Sequence, residues 1–347
     1  MELDIKNPTI STVTRGIEGK IILIHSYENK VGKTKVGTQM PKPLYLRFEQ
    51  GINAISGCPV MELTSWQDFK KVNKQLCSVK ELEENRKLYT TIIIDTLDVA
   101  IRWCEQYVCS MQGVTRLNDG NEGFGLWKEY ENEWFREFNK LTNAGYCLYF
   151  ISHSESKELQ DPITGEKYDK MIPVGDKRTI KLIEDTADII GYVRSNGFDD
   201  TGKEIPSSLY LGNDRGFKAG SRFDYLTPFI KEFTAENLIK AIADAVDAEE
   251  KASGIQGKTF DEKHKSSEVE KPTFEALCKS IQDYAKLLTK DGEKSKQAYV
   301  DIVEQHLGAT KKVSESTEKN YPQIEMILFD LQEYVKDNDI KTKAKAK

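Results

Sequence analysis

Nowhere in the 347-residue sequence is there an apolar run long enough for a membrane span. The start, Met1-Glu2-Leu3-Asp4, lacks the basic-then-apolar pattern of a secretory signal. The six cysteines (Cys58, Cys77, Cys104, Cys109, Cys147 and Cys278) include no Cys-x-x-Cys pair, and several fall in apolar segments, as reduced, buried thiols do. Positive charge is not in excess either. Fifty Lys and Arg stand against 56 Asp and Glu, a formal net charge of −6, so a nucleic acid or an anionic lipid surface would need a local basic patch. These absences lead us to expect a soluble, cytoplasmic protein without membrane attachment. What is present, 38% hydrophobic and 31% charged residues, is enough for a core beneath a heavily solvated surface, with room for two or three domains.

One further absence is local. The segment His25-Ser26-Tyr27-Glu28-Asn29-Lys30-Val31-Gly32-Lys33-Thr34 follows the apolar Lys20-Ile21-Ile22-Leu23-Ile24 and ends like a phosphate-binding loop. In G-x-x-x-x-G-K-[ST], however, the first glycine would stand where Tyr27 does. Such a loop needs a strand to deliver the chain, backbone N–H groups converging on phosphate, and a helix opening at Lys-[Ser/Thr]. Ile21 to Ile24 supplies the strand and Lys33-Thr34-Lys35-Val36 can open the helix. Counted from the strand, the loop is one residue longer than usual, with Ser26 or Asn29 as candidates for the sharp turn.

From residue 18 to 248 short β-branched runs alternate with helical patterns, the signature of an α/β core with a mainly parallel sheet. The clearest strands are Ile21 to Ile24, Leu44 to Phe48, Thr91 to Ile94 and Cys147 to Ile151, near-continuous apolar runs suited to burial on both faces. Phe124, Trp127, Tyr130, Trp134, Phe138 and Leu141, three or four apart, predict a helix packed on that sheet. Asp161-Pro162-Ile163-Thr164-Gly165 and Asp199-Asp200-Thr201-Gly202-Lys203 predict two hairpins at one edge. Residues 1–17 form an N-terminal extension in this reading, and 249–271, rich in Lys, Glu, Ser and Gly, a flexible linker. Residues 272–338 carry three helical stripes of a small bundle, and 339–347 a basic tail.

Three strands end in polar residues besides the one before the loop. Thr91-Ile92-Ile93-Ile94-Asp95 ends in a carboxylate suited to orienting magnesium, or to capping the next helix. Leu44-Tyr45-Leu46-Arg47-Phe48-Glu49 ends in another, and Leu148-Tyr149-Phe150-Ile151-Ser152-His153 in a histidine. In a parallel sheet these would line the carboxyl edge, where α/β folds bind ligands.

This order resembles the RecA-like P-loop ATPase core, and more closely phage nucleotide-binding proteins that include the Sak-type RecA-like single-strand annealing recombinases. The likeness is carried by Lys42 to Gly51, Gly123 to Lys128, Phe150 to Glu155 and Asp185 to Tyr192, within residues 15–235. It implies ATP and Mg²⁺ as cofactors, with Asn29, Lys30, Val31, Gly32, Lys33, Thr34 and Lys35 around the phosphates. Lys33 would contact the β- and γ-phosphates, Thr34 would hold the metal with Asp95 in support, and Glu49 would polarise the attacking water. His153 would stand at the sensor position; a buried strand-end histidine is the alternative. Arg215 and Lys218, with Arg222 nearby, would reach a neighbour's γ-phosphate, or form only an exposed basic hairpin.

The resemblance also implies single-stranded DNA as partner, through two loops, and a homo-oligomer, ring or filament. Met111 to Phe124 holds Arg116, while Ser154 to Arg178 holds Lys157, Lys167, Tyr168, Lys170, Lys177 and Arg178. Basic groups beside an aromatic suit sequence-independent strand binding. Glu155, Glu158, Asp161, Glu166 and Asp169 in the same loop leave a mixed-charge hairpin as the other reading. The expected activity is a DNA-dependent ATPase promoting annealing or strand exchange. A loader or regulator of a replication protein, and a non-hydrolysing nucleotide sensor for which Tyr27 speaks, remain alternatives. The C-terminal helices lie outside the resemblance and are expected to hold a partner such as a single-strand-binding protein, or to add a weak basic contact to DNA through the Lys343, Lys345 and Lys347 tail.

Overall fold

The computed structural model describes residues 8, 10–49, 55–175, 177–265, 272–338 and 340. The chain divides between Ser267 and Glu268 into two compact units. The larger begins with β1 (Ile21–Ser26), α1 (Lys33–Thr38), β2 (Pro43–Arg47), β3 (Val60–Glu62), α2 (Trp66–Leu76), α3 (Leu82–Leu88) and β4 (Thr91–Asp95). It continues with α4 (Leu97–Met111), α5 (Trp127–Asn143), β5 (Cys147–Gln160), β6 (Lys167–Pro173), α6 (Lys177–Thr186) and β7 (Ile189–Arg194). β8 (Ser208–Tyr210), β9 (Gly220–Ser221), β10 (Phe229–Ile230), α7 (Ala235–Ser253) and α8 (Phe260–Lys265) complete it.

The strands join in one sheet of order β10-β8-β7-β1-β5-β4-β2-β3, parallel from β7 to β3. The apolar runs of β1, β4 and the first half of β5 are buried on both faces, because helices cover both sides. Trp66, Phe69, Trp134, Phe138 and Phe150 fill one side of the sheet. Val36, Tyr45, Ile93, Tyr149 and Leu238 belong to the core on the other. This is the expected α/β core with a mainly parallel sheet. The second expected hairpin, β7–β8, lies towards one end of the sheet. The first is β6 paired to the distal half of β5, so it grows out of a central strand. Its turn closes as the sequence suggested, with Asp161 Oδ1 accepting from the N–H groups of Ile163 and Thr164 at 2.8 and 3.0 Å.

Two sequence expectations need correction. Tyr130, Trp134, Phe138 and Leu141 are buried along α5 as their spacing predicts, but Phe124 stands before the helix and is 84% exposed. Gly123 (φ 91°) and Gly125 (φ 85°) adopt left-handed backbone there and stop the helical period. The linker boundary also moves. α7 runs to Ser253 and ends on Gly254 in left-handed conformation. The chain then returns to bridge Thr14, Arg15 N–H donating to Lys258 O at 2.9 Å, and α8 buries Phe260. Residues 249–265 and the strap around Thr14 thus belong to the core unit. The charged composition concealed this, because Glu250 uses its charge to pair with Arg15, and a single aromatic anchors α8. Residues 266–271 lie outside the described residues.

The smaller unit is the expected three-helix packing of α9 (Phe274–Asp291), α10 (Glu293–Leu307) and α11 (Tyr321–Asp337). Leu277, Ile281, Leu288, Val303, Ile324 and Leu331 form its core. Of the expected basic tail, 339 and 341–347 lie outside the described residues. Among the described residues no helix is long and apolar enough to cross a membrane.

Candidate active site

β1 ends at Ser26, and the loop 27–32 carries the chain into α1. Neither Ser26 nor Asn29 makes the left-handed turn that the sequence suggested. Lys30 (φ 62°) takes it, followed by Gly32 (φ 91°) at the N-cap of α1. A Cβ on Gly32 would meet nothing within 4 Å, so the dihedral rather than space calls for glycine there. Tyr27, in the place of the missing glycine, is 59% exposed, so its bulk is accommodated in solvent. Asn29, Lys30 and Lys35 are exposed, whereas Val31 and Lys33 are buried.

Lys33 is the centre of the site. Its ammonium donates to the Ser26 hydroxyl, whose proton goes to Glu28 O at 2.6 Å, and it makes no ion pair among the described residues. Burial pulls its pKa down to about 8, against the opposing pull of Asp95, Glu28 and Glu49. One strand beyond β5, the chain ends β4 in Asp95, which is 2% exposed. Thr34 Oγ1 donates to Asp95 Oδ2 at 2.7 Å, and the Tyr45 hydroxyl donates to the same oxygen at 3.0 Å. Burial raises the Asp95 pKa, and the two hydroxyl donors work in the opposite sense.

Glu49 is held next to this pair. Its N–H and that of Phe48 both donate to Asp95 O, at 3.3 and 3.2 Å, continuing the β2–β4 pairing past Arg47. Its Oε2 accepts from Thr96 Oγ1 at 3.1 Å. His153 pairs in register with Ser26, and its carbonyl accepts from Val174 N–H at 2.9 Å. His25 is fully buried between Ser154 Oγ (2.7 Å) and Lys218 O (2.6 Å), and burial pulls its pKa down to about 4.

The sheet therefore gathers Lys33, Thr34, Asp95, Glu49 and His153 on its carboxyl edge. Arg215 and Lys218 are engaged elsewhere in the chain. Arg215 pairs with Glu166 at 2.8 Å and lies over the Tyr168 ring at 4.6 Å, while Lys218 pairs with Glu184 at 3.0 Å. The proposed DNA loops divide in the same way. Arg116 and Lys157 are exposed. Lys167 pairs with Glu158 at 2.8 Å, Arg178 stacks on Trp127 at 4.3 Å, and Lys170 is half-buried. The Arg215 guanidinium occupies a face of Tyr168 that base stacking would use. Lys177 opens α6, its side chain lying outside what is described.

Three site residues escaped the sequence reading, Tyr45, Thr96 and Tyr149, while Ser26, a candidate there for the sharp turn, instead accepts from the Lys33 ammonium. Tyr149 OH donates to Lys33 O at 3.4 Å from beneath α1. Tyrosines in otherwise aliphatic strands were the available signal, because a buried phenol needs a partner for its hydroxyl.

The residues fit a magnesium nucleotide. Lys33 is a buried cation without a counter-charge at contact distance among the described residues, and Asp95 is a buried carboxylate held by hydroxyls alone. No group of three or more His, Cys, Asp or Glu among the described residues could cage a metal. That matches Mg²⁺, which typically takes one or two protein ligands and completes its shell with phosphate and water. When bound, such an ion would neutralise phosphate charge between Thr34 and Asp95.

Comparison with known proteins agrees with this chemistry. The chain is 42% identical over 333 residues to the SPbeta prophage-derived uncharacterized protein YorG of Bacillus subtilis (strain 168), covering 96% of this chain and 99% of that protein. Residues 21–223, from the start of β1 past β9 and well over half of the chain, match the model of the AAA domain. The chain belongs to the AAA-domain family of P-loop ATPases.

Proposed function

We propose that this protein is an ATP-hydrolysing recombination protein of phage origin, of the RecA-like Sak type, which binds single-stranded DNA and promotes annealing or strand exchange. The observation that carries this reading is the arrangement of the carboxyl edge. Lys33, Thr34, Asp95 and Glu49 meet there, and β5 continues from that edge directly into the hairpin that bears Lys157. Arg116 and the exposed Phe124 rise from the neighbouring loop between α4 and α5. Exposed cations and exposed aromatics are both what sequence-independent strand binding uses. The prophage derivation in the name of its Bacillus relative supports the phage assignment. In this reading Lys33 and Thr34 hold MgATP, Glu49 polarises water, and His153 senses the γ-phosphate.

Assembly into a ring or filament belongs to the same proposal, with Arg215 or Lys218 exchanging its partner in the chain for a neighbour's phosphate. The C-terminal helices are proposed to hold a single-strand-binding protein. A second reading, an ATPase that loads or regulates a replication protein, is favoured by one feature. The hairpin charges Lys167 and Glu158, and Arg215 and Glu166, neutralise each other. ATP turnover with and without single-stranded DNA separates the two. Stimulation by DNA supports recombination, whereas turnover indifferent to DNA overturns it in favour of loading. Binding without turnover would leave a nucleotide sensor.

A further inference from the structure

Beneath the nucleotide loop lies a tyrosine that no phosphate-loop pattern calls for. Tyr45 sits in the middle of β2, in register with Ile93, and is fully buried. Its hydroxyl passes along the neighbouring strand to Asp95 Oδ2 at 3.0 Å. That oxygen also accepts from Thr34 at 2.7 Å, so protein hydroxyls occupy it twice. A carboxylate oxygen has about two lone-pair sites for donors, and both on Oδ2 are then taken. Only Oδ1 is left to face a cation or its water shell.

We propose that Tyr45 is a positioning residue for the divalent cation, fixing which oxygen of Asp95 serves the metal by occupying the other. The inference rests on the reading of Thr34 and Asp95 as the metal-holding pair. The loop above departs from the usual glycine pattern at Tyr27, and the underlying strand supplies rigidity that the loop sequence does not. The Tyr45 ring is clamped in the core formed with Val36, Ile93 and Tyr149, so its hydroxyl cannot swing away from Asp95 without displacing packed side chains. Thr34, by contrast, is only partly buried on a six-residue helix. Of the two donors, the tyrosine is the stiffer. Partners that orient metal ligands are commonly worth about 10- to 100-fold in metal affinity.

Tyr45→Phe removes the hydroxyl and leaves the ring, so the fold should survive; its melting temperature is measured alongside. The probe is a non-hydrolysable ATP analogue, titrated calorimetrically at a series of Mg²⁺ concentrations and in EDTA. The expected result is a Mg²⁺ half-saturation raised about 10-fold, with affinity in EDTA unchanged. Tyr146→Phe, which removes a buried hydroxyl that donates to Leu76 O at 2.9 Å in the core on the other side of the sheet, should leave the Mg²⁺ dependence as it was. Wild-type Mg²⁺ dependence in Tyr45→Phe, while Thr34→Val weakens it, would overturn the role of Tyr45 and leave the metal site standing. Equal loss with and without Mg²⁺ would overturn it too, by revealing general damage to the loop. Wild-type Mg²⁺ dependence in Thr34→Val and Asp95→Asn as well would instead overturn the underlying site reading.

Discussion

Nucleotide affinity should fall as pH rises through the range in which Lys33 titrates. The residue is 6% exposed, and burial has brought its pKa from 10.5 to about 8. Phosphate oxygens favour the charged form, so binding above that pH must first restore the proton. The protonated fraction in the free protein is about nine-tenths at pH 7 and about one-tenth at pH 9, which weakens binding about 10-fold over that interval. The signature is proton uptake. Calorimetric titration with ADP in buffers of different ionisation enthalpy should find about 0.9 proton taken up per nucleotide at pH 9 and about 0.1 at pH 7. Lys33→Met should bind weakly at both values and take up none at this site. The same shift has the opposite sense for folding. Between about 8 and 10.5 the unfolded chain keeps a proton that the folded chain has released, so the Lys33 contribution to stability improves as pH rises. Equal affinity at pH 7 and 9 without proton uptake would refute the placement of Lys33 against phosphate.

Three other expectations follow from the geometry. Glu49→Gln should keep nucleotide binding and lose about 10²- to 10⁴-fold in turnover, and wild-type turnover in a steady-state assay would remove Glu49 from the chemistry. Gly37→Ala puts a methyl 2.9 Å from the Tyr149 ring below α1; it should cost about 1–3 kcal/mol of stability by overpacking, read as a lower denaturant midpoint, and weaken nucleotide binding with it. A chain ending at Ser267 should remain folded and bind nucleotide, because the core unit closes there. One ending at Ala248 should melt lower, since it loses the end of α7 and the buried Phe260; equal melting temperatures would show that α8 contributes nothing.

Much of the α/β core could be read directly because its strands are apolar without interruption, a pattern that survives any uncertainty about register. The strand-end residues were legible for the same reason. Once Ile92 to Ile94 is a buried parallel strand, Asp95 has to emerge at its carboxyl end. Less legible was whatever depends on contacts between distant segments. Nothing local says that Tyr45 reaches Asp95, or that Arg215 spends its charge on Glu166. The charge density of residues 249–265 reads as solvation, whereas one aromatic and a two-residue bridge to the strap suffice to fold them back. Phe124 misled in the other direction. Its spacing fits the α5 stripe, but two glycines in left-handed conformation end the helical period before it counts.

β5 is a single stretch of fourteen residues, of which the first half is enclosed by the sheet and the second stands out as a hairpin arm. The two halves meet at His153 and Ser154, beside the end of β1. Seven residues of arm, Ser154 to Gln160, at about 3.3 Å each make a lever of roughly 23 Å. Moving its tip sideways by about 1 Å turns it by only about 2–3° at the fulcrum for that length. The fulcrum, however, is His153, in register with Ser26 at the end of β1, and the covalent backbone joins the two ends without any intervening interface that could slip. A load on the arm therefore reaches, through one continuous strand, the place where β5 lies beside the end of β1 and the start of the loop 27–32.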